Sequence, residues 1–543
     1  MAAPAPTGYT DQERRLLSFY FSSLEPRAHA DIYLVRNLPE EVRATLNGLY
    51  SRSHLAMRDA LLTRLKKGLE ERGLTLESLA IPEQRPDAAA GFLTERSGKF
   101  LKTYAIDHGH NSLREGSVLH FAVENVSQLV TRFLQRERRA SFEESSTRYI
   151  SFSAEGHWRD PDVFAAAGPA RELYERTIQE CFGLYAEITD QLMAHIAARR
   201  PRQADEKPDA YARACRSEAL DASRYLLLPA LYTKFGVVLD ARTLADVTQQ
   251  LLSHPLAEFR LVGARLLEHG NLVARTLLSH AQPAPFEQHL HACLPELAQR
   301  VVPAAPPRAG TAQVRLLSWD PELDDRLLAS LLYEHGSHAF ATLLERVRAL
   351  PAADKDRILE QALAARGPHD ALPMGLEGAQ PCEFECLIDF GAYRDIGRHR
   401  RGFQQMQTLT CDHGFAVPPL IAEAGLLPRY REVLARAADA HAAVRREFPH
   451  AAAYLVPFAF LQRVRIVFDP RQVAYFVELR SAPEGHFSYR QVAMEMFELL
   501  AQVAPRFARY VRVQKGQAFL GRMQNEQTAD ERRQRRMERA GDG

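Results

Sequence analysis

Two stretches of the chain align with each other without a gap, and this internal similarity constrains the fold more than any other feature. Residues 231–247 read LYTKFGVVLDARTLADV, and residues 460–476 read FLQRVRIVFDPRQVAYF. In both, a strand-like apolar run leads into an aspartate and then into a helical pattern. A second pair of predicted strands, SVLHFAVEN and CEFECLIDF, precedes them in the same order. The sequence therefore predicts two diverged copies of one domain.

Most of the remaining sequence has a helical period, with apolar residues recurring every three or four positions. We therefore predict an α+β fold with few strands. The chain has 543 residues, which is too long for a single hydrophobic core. We place a first domain at 1–299 with an insertion at about 155–214, a proline- and alanine-rich linker at 300–313, a second domain at 314–524 and a charged flexible tail at 525–543.

The near-zero net charge argues against a nucleic-acid or membrane partner that is attracted by the overall charge of the protein. The chain has 69 basic and 68 acidic residues, so its formal net charge is +1. No apolar run approaches the ~20 residues that span a bilayer, and the N-terminal sequence MAAPAPTGYTDQERR has no signal-peptide pattern. Six cysteines without a framework spacing indicate a reducing compartment. We expect a cytoplasmic protein without a nucleic-acid or membrane partner.

The cysteines raise the question of a metal site. Cys382 and Cys386, together with Cys411 and His413, could serve as zinc ligands. However, CEFECLIDF alternates like a strand, which places both thiols on one apolar face beside Phe384. We therefore predict small buried thiols and no metal.

The stretch RERRASFEESSTRY, residues 136–149, concentrates side chains that can do chemistry. Arg136, Arg138 and Arg148 lie near the end of a predicted helix and in the loop after it. Their planar guanidiniums suit a phosphate, a carboxylate or the carbonyl edge of a flat heterocycle. A helix surface with local ion pairs explains the same composition, so composition alone leaves both interpretations open.

The spacing of this stretch favours a site. Seven residues separate the R-x-R triplet from Ser146, and seven separate Arg398-His399-Arg400 from Thr408 in the second copy. The pattern resembles the flavin-dependent thymidylate synthases, whose signature is R-H-R, seven residues and a serine. Three more stretches resemble motifs of that family in the same order: DHGHNS (107–112), ASRYLLLPALYTKFGVVLDARTL (222–244) and FVELRSAPEGHFSYRQVA (476–493).

The resemblance implies two copies of a thymidylate synthase-like domain, each with a small, mainly antiparallel sheet and long helices. It implies methylation of deoxyuridylate (dUMP) to thymidylate (dTMP). Methylenetetrahydrofolate would donate the carbon, NADPH would be the reductant, and flavin adenine dinucleotide (FAD) would mediate between them. It also implies a homodimer that forms a pseudo-tetramer, because family members are typically homotetramers.

The resemblance also implies roles for individual residues. Those on the flavin side would be His110, Ser112, Arg136, Arg138, Asp240, Arg242, His369, Arg398, His399, Arg400, Asp469 and Arg471. Those that bind deoxyuridylate would be Glu144, Ser146, Thr147, Arg148, Arg224 and Arg480. Among these, the candidate catalytic residues are Arg138, Ser146, Arg148 and Arg224.

Several positions depart from the family pattern. Glu137 replaces the central histidine, and Asp240 and Asp469 replace asparagine. A carboxylate repels a flavin pyrophosphate and accepts hydrogen bonds where an amide donates. In the second copy Ala453 replaces the arginine that the first copy keeps as Arg224. The two copies thus lack different residues of the family pattern. We hypothesise that together they form one complete composite site.

Two other functions compete with an active synthase. A catalytically degenerate paralogue would bind flavin or nucleotide in a structural or regulatory role. An arginine-rich protein that binds nucleic acid is disfavoured by the near-neutral charge and by the absence of interleaved aromatic residues.

Overall fold

A computed structural model describes residues 8–50, 52–79, 97–166, 168–204, 206–302 and 313–516 of the chain. It confirms the predicted α+β class, since helices accompany two four-stranded antiparallel sheets. The predicted tail at 525–543 and most of the predicted linker at 300–313 lie outside the described residues. The predicted domain limits therefore stay predictions.

The chain forms two compact units, and each is built from three separate stretches. The first unit comprises Met1–Ile188, Leu226–Ala305 and Pro428–Pro457. The second comprises Thr189–Tyr225, Pro306–Leu427 and Phe458–Gly543. Arg224, whose motif precedes the predicted linker and was assigned to the first copy, thus belongs to the second unit.

Each unit has one sheet, and the two sheets share one topology. The first contains β1 (Asp31–Leu34), β2 (Val118–Ser127), β3 (Ala140–Glu144) and β4 (Tyr232–Asp240), and the second contains β5 (Val314–Ser318), β6 (Cys382–Asp389), β7 (Phe403–Met406) and β8 (Leu461–Phe468). The strand orders are β1-β2-β4-β3 and β5-β6-β8-β7, with every neighbouring pair antiparallel. The four predicted strands are confirmed as the central pair of each sheet, and the shared order is what a duplication requires.

Helices make up most of the described residues. Those of eight or more residues are Asp11–Tyr20, Glu40–Tyr50, Met57–Glu70, Gln128–Gln135, Pro169–Arg199, Pro208–Ser223, Ala241–Leu252, Ala257–Ala274, Pro285–Val301, Leu323–Tyr333, Phe340–Ala349, Ala352–Leu363, Leu427–Glu447, Pro470–Arg480 and Phe487–Val503. The shorter ones are Ser112–Glu115, Pro161–Ala165, Phe390–Ile396, Pro419–Glu423 and Pro505–Ala508, with a π-helix at Lys102–Asp107 and 3₁₀ turns at Leu76–Ser78, Arg224–Leu226, Met374–Glu377 and Ala451–Leu455. Within the described ranges, none of these helices combines the length and apolarity that crossing a membrane requires.

The core of the second unit lies on one face of its sheet. Alternation along β6 turns Cys382, Phe384 and Cys386 to that face, where all three are fully buried. The helix Phe487–Val503 packs against them and buries Met496. The prediction of small buried thiols is thereby confirmed, and burial raises the pKa of the Cys382 thiol to about 12. Across the part of the chain that the structure describes, no group of three or more His, Cys, Asp or Glu side chains is placed to hold a metal ion.

The opposite faces of the two sheets differ. In the first unit the helix Glu40–Tyr50 packs on β4 so closely that a Cβ on Gly236 would meet the Asn47 side chain. In the second unit the matching strand presents Arg465, which pairs across the sheet with Glu383 and is 47% exposed. The helix Glu40–Tyr50 therefore covers a sheet face in the first unit, and the matching face in the second unit carries exposed polar side chains such as Arg465.

Candidate functional site

A cavity of about 520 Å³ opens in the second unit between the R-H-R loop and the helix Pro470–Arg480. Five residues predicted for the flavin or nucleotide side line it: Arg398, His399, Arg400, Arg471 and Arg480. They come from segments that are far apart in the sequence, and the fold brings them together around one space. A cavity of this size can accept a small organic ligand.

The loop that carries the triplet is shaped by the glycine that follows it. Arg398, His399 and Arg400 follow the helix Phe390–Ile396, and β7 begins soon after them. A Cβ at Gly402 would lie 2.6 Å from the carbonyl oxygen of Val467 and would also overlap the Phe468 ring. Only glycine lets the loop approach β8 this closely, and this approach holds the triplet at the mouth of the cavity.

His399 lies inside the cavity wall as a neutral imidazole. It is only 5% exposed, and burial together with Arg480 lowers its pKa to about 3. Arg480 Nε donates to His399 Nε2 at 2.8 Å, so the neutral ring carries its proton on Nδ1. The imidazole is therefore an oriented acceptor for Arg480 and no source of positive charge.

Two arginines predicted for the nucleotide side meet at one aspartate. Arg224 is 1% exposed, and its Nη2 lies 3.4 Å from Asp395 Oδ2 and 3.3 Å from the Gly391 carbonyl oxygen. Arg480 Nη2 donates to the main-chain oxygen of Asp395 at 2.8 Å. The buried Nε of Arg224 has no hydrogen-bond partner in the described part of the chain. The arrangement fixes both guanidiniums relative to His399.

Two glutamates hold part of the positive charge that surrounds the cavity. Glu377 accepts from Arg401 at 2.6 Å and also pairs with Arg471. Glu478 accepts both terminal nitrogens of Arg366, at 2.7 and 2.8 Å. Six guanidiniums and two carboxylates line the cavity, which leaves an excess of four positive charges. Such a set of forks fits an anionic ligand with several oxygens.

The matching motif of the first unit lies at its surface. Arg136 and Arg138 are exposed, and Arg136 Nη2 donates to Gln250 at 2.6 Å. The main-chain N–H of Arg139 donates to Glu137, and its guanidinium pairs with Asp246. Ion pairs in this stretch thus include those of Arg139, next to the triplet, with Glu137 and Asp246 as partners.

The other predicted flavin-side residues are dispersed. His110 and Ser112 are exposed in the first unit, and His369 is exposed in the second. Arg242 pairs with Glu115 at 2.6 Å. Within the second unit, His369 is not among the residues that line the cavity of the R-H-R triplet.

Asp240 and Asp469 have the same structural role in the two copies. Each is the N-cap of the helix that follows its strand, and each accepts from the main-chain N–H three residues later, at 2.8 Å in both cases. Burial raises the pKa of Asp469. These caps were not predicted from the sequence, although an aspartate between a strand and a helical pattern is a known signal for the start of a helix.

The predicted nucleotide residues of the first unit are largely enclosed. Glu144 is 2% exposed, pairs with Arg132, and accepts from Gln135 at 3.1 Å. Ser146 Oγ accepts from the main-chain N–H of Arg148 at 3.2 Å, and Thr147 is 1% exposed. The carboxylate of Glu144 is therefore paired with an arginine of the protein itself.

Several residues at the cavity were not predicted from the sequence. They are Glu377, Gln472 and Tyr475, which line it, and Asp395, which pairs with Arg224. Helical spacing from Arg471 would have found Tyr475, because residues four apart share a helix face. Glu377 and Asp395 lie in no motif, and their roles depend on contacts between distant segments.

Comparison with known proteins gives a family match in two segments. The sequence profile described as "Thymidylate synthase complementing protein" matches residues 74–274 and 377–506, together more than half of the chain. The second segment contains the R-H-R triplet, Arg471 and Arg480. Residues before 74 lie outside the match.

Individual relatives fall into two groups. A "UPF0159 protein" of Chlamydia muridarum is 29% identical over 534 residues, covering 95% of this chain and 98% of the relative. A "UPF0159 protein" of Thermoplasma acidophilum is 25% identical over 473 residues, covering 80% and 92%. A "Flavin-dependent thymidylate synthase" of Geobacter sulfurreducens is 29% identical over 118 residues, covering 22% and 49%.

Proposed function

Because the chain belongs to the family described as thymidylate synthase complementing protein, we propose that it is a flavin-dependent thymidylate synthase. It methylates dUMP to dTMP, with methylenetetrahydrofolate as carbon donor, NADPH as reductant and FAD as mediator. The observation that carries the proposal is the cavity around Arg398, His399 and Arg400, with its excess of positive charge. We further propose that the protein acts as a homodimer.

The residues of the cavity fit a flavin nucleotide by their donor set. Arg398, Arg400 and Arg471 offer guanidinium forks for a pyrophosphate. Tyr475 and Leu479 add apolar surface beside them. When bound, the flavin supplies the redox chemistry that the side chains lack. The protein's part is to bind it, to orient it and to hold the nucleotide near it.

Arg480 and Arg224 are the proposed anchors for the nucleotide in the second unit. The neutral His399 fixes Arg480 through Nε, and Asp395 fixes it through Nη2. A guanidinium held at two points loses little side-chain entropy when it binds a phosphate or a uracil carbonyl. Ser146, Thr147 and Arg148 stay predicted nucleotide ligands, and Arg138 stays a predicted catalytic residue.

A second candidate function has its own supporting observation. Glu144 is paired with Arg132, and Arg224 is paired with Asp395, so two predicted nucleotide ligands already have protein partners. Breaking buried pairs to admit a substrate is unfavourable. A degenerate paralogue that binds flavin without turnover would have this arrangement.

A flavin titration followed by an activity assay tests both candidates. The purified full chain is titrated with FAD and followed by flavin absorbance, and thymidylate is then assayed with dUMP, methylenetetrahydrofolate and NADPH. We expect FAD binding that weakens about tenfold or more in Arg400→Gln and in Arg471→Gln. The exposed Arg315, on β5, provides the matched control Arg315→Gln.

Each outcome decides between the candidates. FAD binding with thymidylate formation supports the synthase. FAD binding without product supports the degenerate paralogue. Absence of FAD binding, or binding that neither cavity variant weakens, overturns the assignment of this cavity to the flavin.

A further inference from the structure

The helix Pro285–Val301 of the first unit has 17 residues, and none of them is buried. Its start is fixed to the unit, because the main-chain N–H of Ala284 donates to Ser253 Oγ at 2.8 Å. One turn further on, the ring of His291 lies 5.0 Å from that of His254. Most of the stability of a helix in a protein comes from packing an amphipathic face. This helix has its start held in place but lacks such packing along its length.

One face of the helix is apolar and exposed. Apolar side chains recur at steps of three and four residues, which places them on a single helix face. They are Phe286, Leu290, Cys293, Leu294, Leu297 and Val301. Between 46% and 81% of the side chain is exposed at Phe286, Leu294, Leu297 and Val301. A contiguous apolar surface of this kind marks an interaction site.

The helix lies outside the part of the chain that matches the family. The first matched segment ends at residue 274, and the second begins at residue 377. The binding of flavin or nucleotide by a domain of that family therefore does not account for the apolar face. Its role is to be sought in a contact with another protein surface.

The apolar face is symmetric about its midpoint, the peptide bond between Cys293 and Leu294. Leu290 lies as far before this bond as Leu297 lies after it, and Phe286 lies as far before it as Val301 lies after it. In a two-fold interface each contact of residue i with residue j is matched by a contact of j with i. Antiparallel pairing of two such helices about the midpoint therefore places apolar residues opposite each other along the whole face.

The extent of the face and its charges fit a second copy of the chain. Burying the exposed apolar side chains of both copies removes on the order of 1,000 Å² from water, the lower limit for a specific interface. In the antiparallel arrangement Glu287 of one copy lies at the level of Arg300 of the other, so opposite charges meet at each end. Pro295 lies on the opposite face of the helix, so its ring does not enter the contact.

We propose that two copies of the chain pair through the helix Pro285–Val301, antiparallel about a two-fold axis that passes between Cys293 and Leu294. The proposal rests on the proposed homodimer, whose contact surface it identifies, and it does not depend on the enzymatic activity. A residue beside the axis meets its own counterpart. Cys293 of one copy therefore lies next to Cys293 of the other.

Cross-linking of the full chain through Cys293 tests the pairing. Cys411 is the other cysteine that is not buried, and the remaining four are buried. The parent chain, Cys293→Ser and Cys411→Ser are each treated with a short bismaleimide, and the products are separated by denaturing electrophoresis. We expect a cross-linked dimer of the parent and of Cys411→Ser, and its loss in Cys293→Ser.

Sedimentation velocity over a range of concentrations measures the association itself. Leu297→Asp places a carboxylate in the apolar contact, and Gln299→Asp places the same charge on the opposite, exposed face as the matched control. We expect Leu297→Asp to raise the dissociation constant of the dimer by about tenfold or more, and Gln299→Asp to leave it unchanged. Leu297 is exposed in the single chain, so its substitution leaves the fold of the unit intact.

The outcomes separate this proposal from the homodimer on which it rests. A dimer that lacks the Cys293 cross-link, or that Leu297→Asp weakens no more than Gln299→Asp does, overturns the pairing and leaves the homodimer in place. A chain that sediments as a monomer at every concentration overturns both. A monomer whose Cys293 also resists labelling by a simple maleimide shows that another segment of the same chain covers the helix.

Discussion

Arg224 donates to the carboxylate of Asp395, although 171 residues separate them in the sequence. The distance from Nη2 to Oδ2 is 3.4 Å, and the arginine is almost fully buried. Asp395 also accepts from Arg480 through its main-chain oxygen. One aspartate outside every recognised motif thus positions the two arginines proposed to bind the nucleotide.

Removing the charge of Asp395 should destabilise the protein. Asp395→Asn keeps the shape of the side chain but removes the carboxylate that forms an ion pair with the buried Arg224 guanidinium. We expect a loss of about 1.5–3 kcal/mol in the free energy of unfolding, the range for hydrogen bonds to charged groups. Urea denaturation measures it, with Asp439→Asn on an exposed helix face as the matched control. Equal denaturation midpoints for the two variants would contradict the role given to Asp395.

The neutral state of His399 predicts a loss of stability in acid. Its folded pKa of about 3 lies below the ordinary value of 6.5, so below pH 6.5 the unfolded chain takes up a proton that the folded chain does not. The contribution is complete above pH 6.5 and is lost as the pH falls toward 3. Between pH 6.5 and 5 we expect a loss of up to about 2 kcal/mol that His399→Gln abolishes.

The measurement is the urea midpoint as a function of pH for the parent chain, for His399→Gln and for a control. The exposed His335 provides that control as His335→Gln. If both variants keep the acid slope of the parent, His399 is protonated in the folded state and the assignment of its tautomer is wrong.

Glu377 restrains Arg471, which the flavin proposal uses, and Arg401 beside it. Its carboxylate pairs with Arg401 and Arg471 on the cavity wall. Glu377→Gln removes a negative charge from the wall and releases both guanidiniums. We therefore expect FAD to bind about two- to tenfold more tightly at low salt, with a smaller gain at high salt. Weaker binding in this variant would mean that the pairing with Glu377 organises the arginines for the ligand.

The sequence identified the centre of each sheet better than its edges. β4 and β8 were predicted because their residues alternate, and both are buried on a core face. For the edge strand β3 the sequence predicts a loop, because ASFEE is polar and lacks apolar alternation. Its strand conformation comes from pairing with β4, a long-range interaction that local propensity does not contain.

The sequence likewise predicted some residues of the candidate site but not the contacts that they make. The family resemblance implied site roles for His399, Arg471 and Arg480, which line one cavity. It did not reveal that Glu144 would pair with Arg132, because a buried ion pair and a ligand contact need the same residue type.

Glu258, a buried carboxyl group in the first unit, predicts a second pH effect of opposite sign. Its Oε1 accepts from the main-chain N–H of Ser127 at 2.6 Å, and its Oε2 accepts from the Tyr454 hydroxyl at 2.7 Å. Burial raises its pKa from 4.5 to about 7. The folded chain therefore keeps a proton that the unfolded chain releases as the pH rises from 4.5 to 7.

The stabilising contribution of Glu258 is complete below pH 4.5 and is lost as the pH rises through about 7, by up to about 1.4 kcal/mol per pH unit. Glu258→Gln keeps an oxygen acceptor for Ser127 and has no charge at any pH, so this slope should disappear. Urea midpoints between pH 4.5 and 8 measure it, with the exposed Glu172→Gln as control. A slope that persists in Glu258→Gln would show that Glu258 is ionised in the folded protein throughout this range.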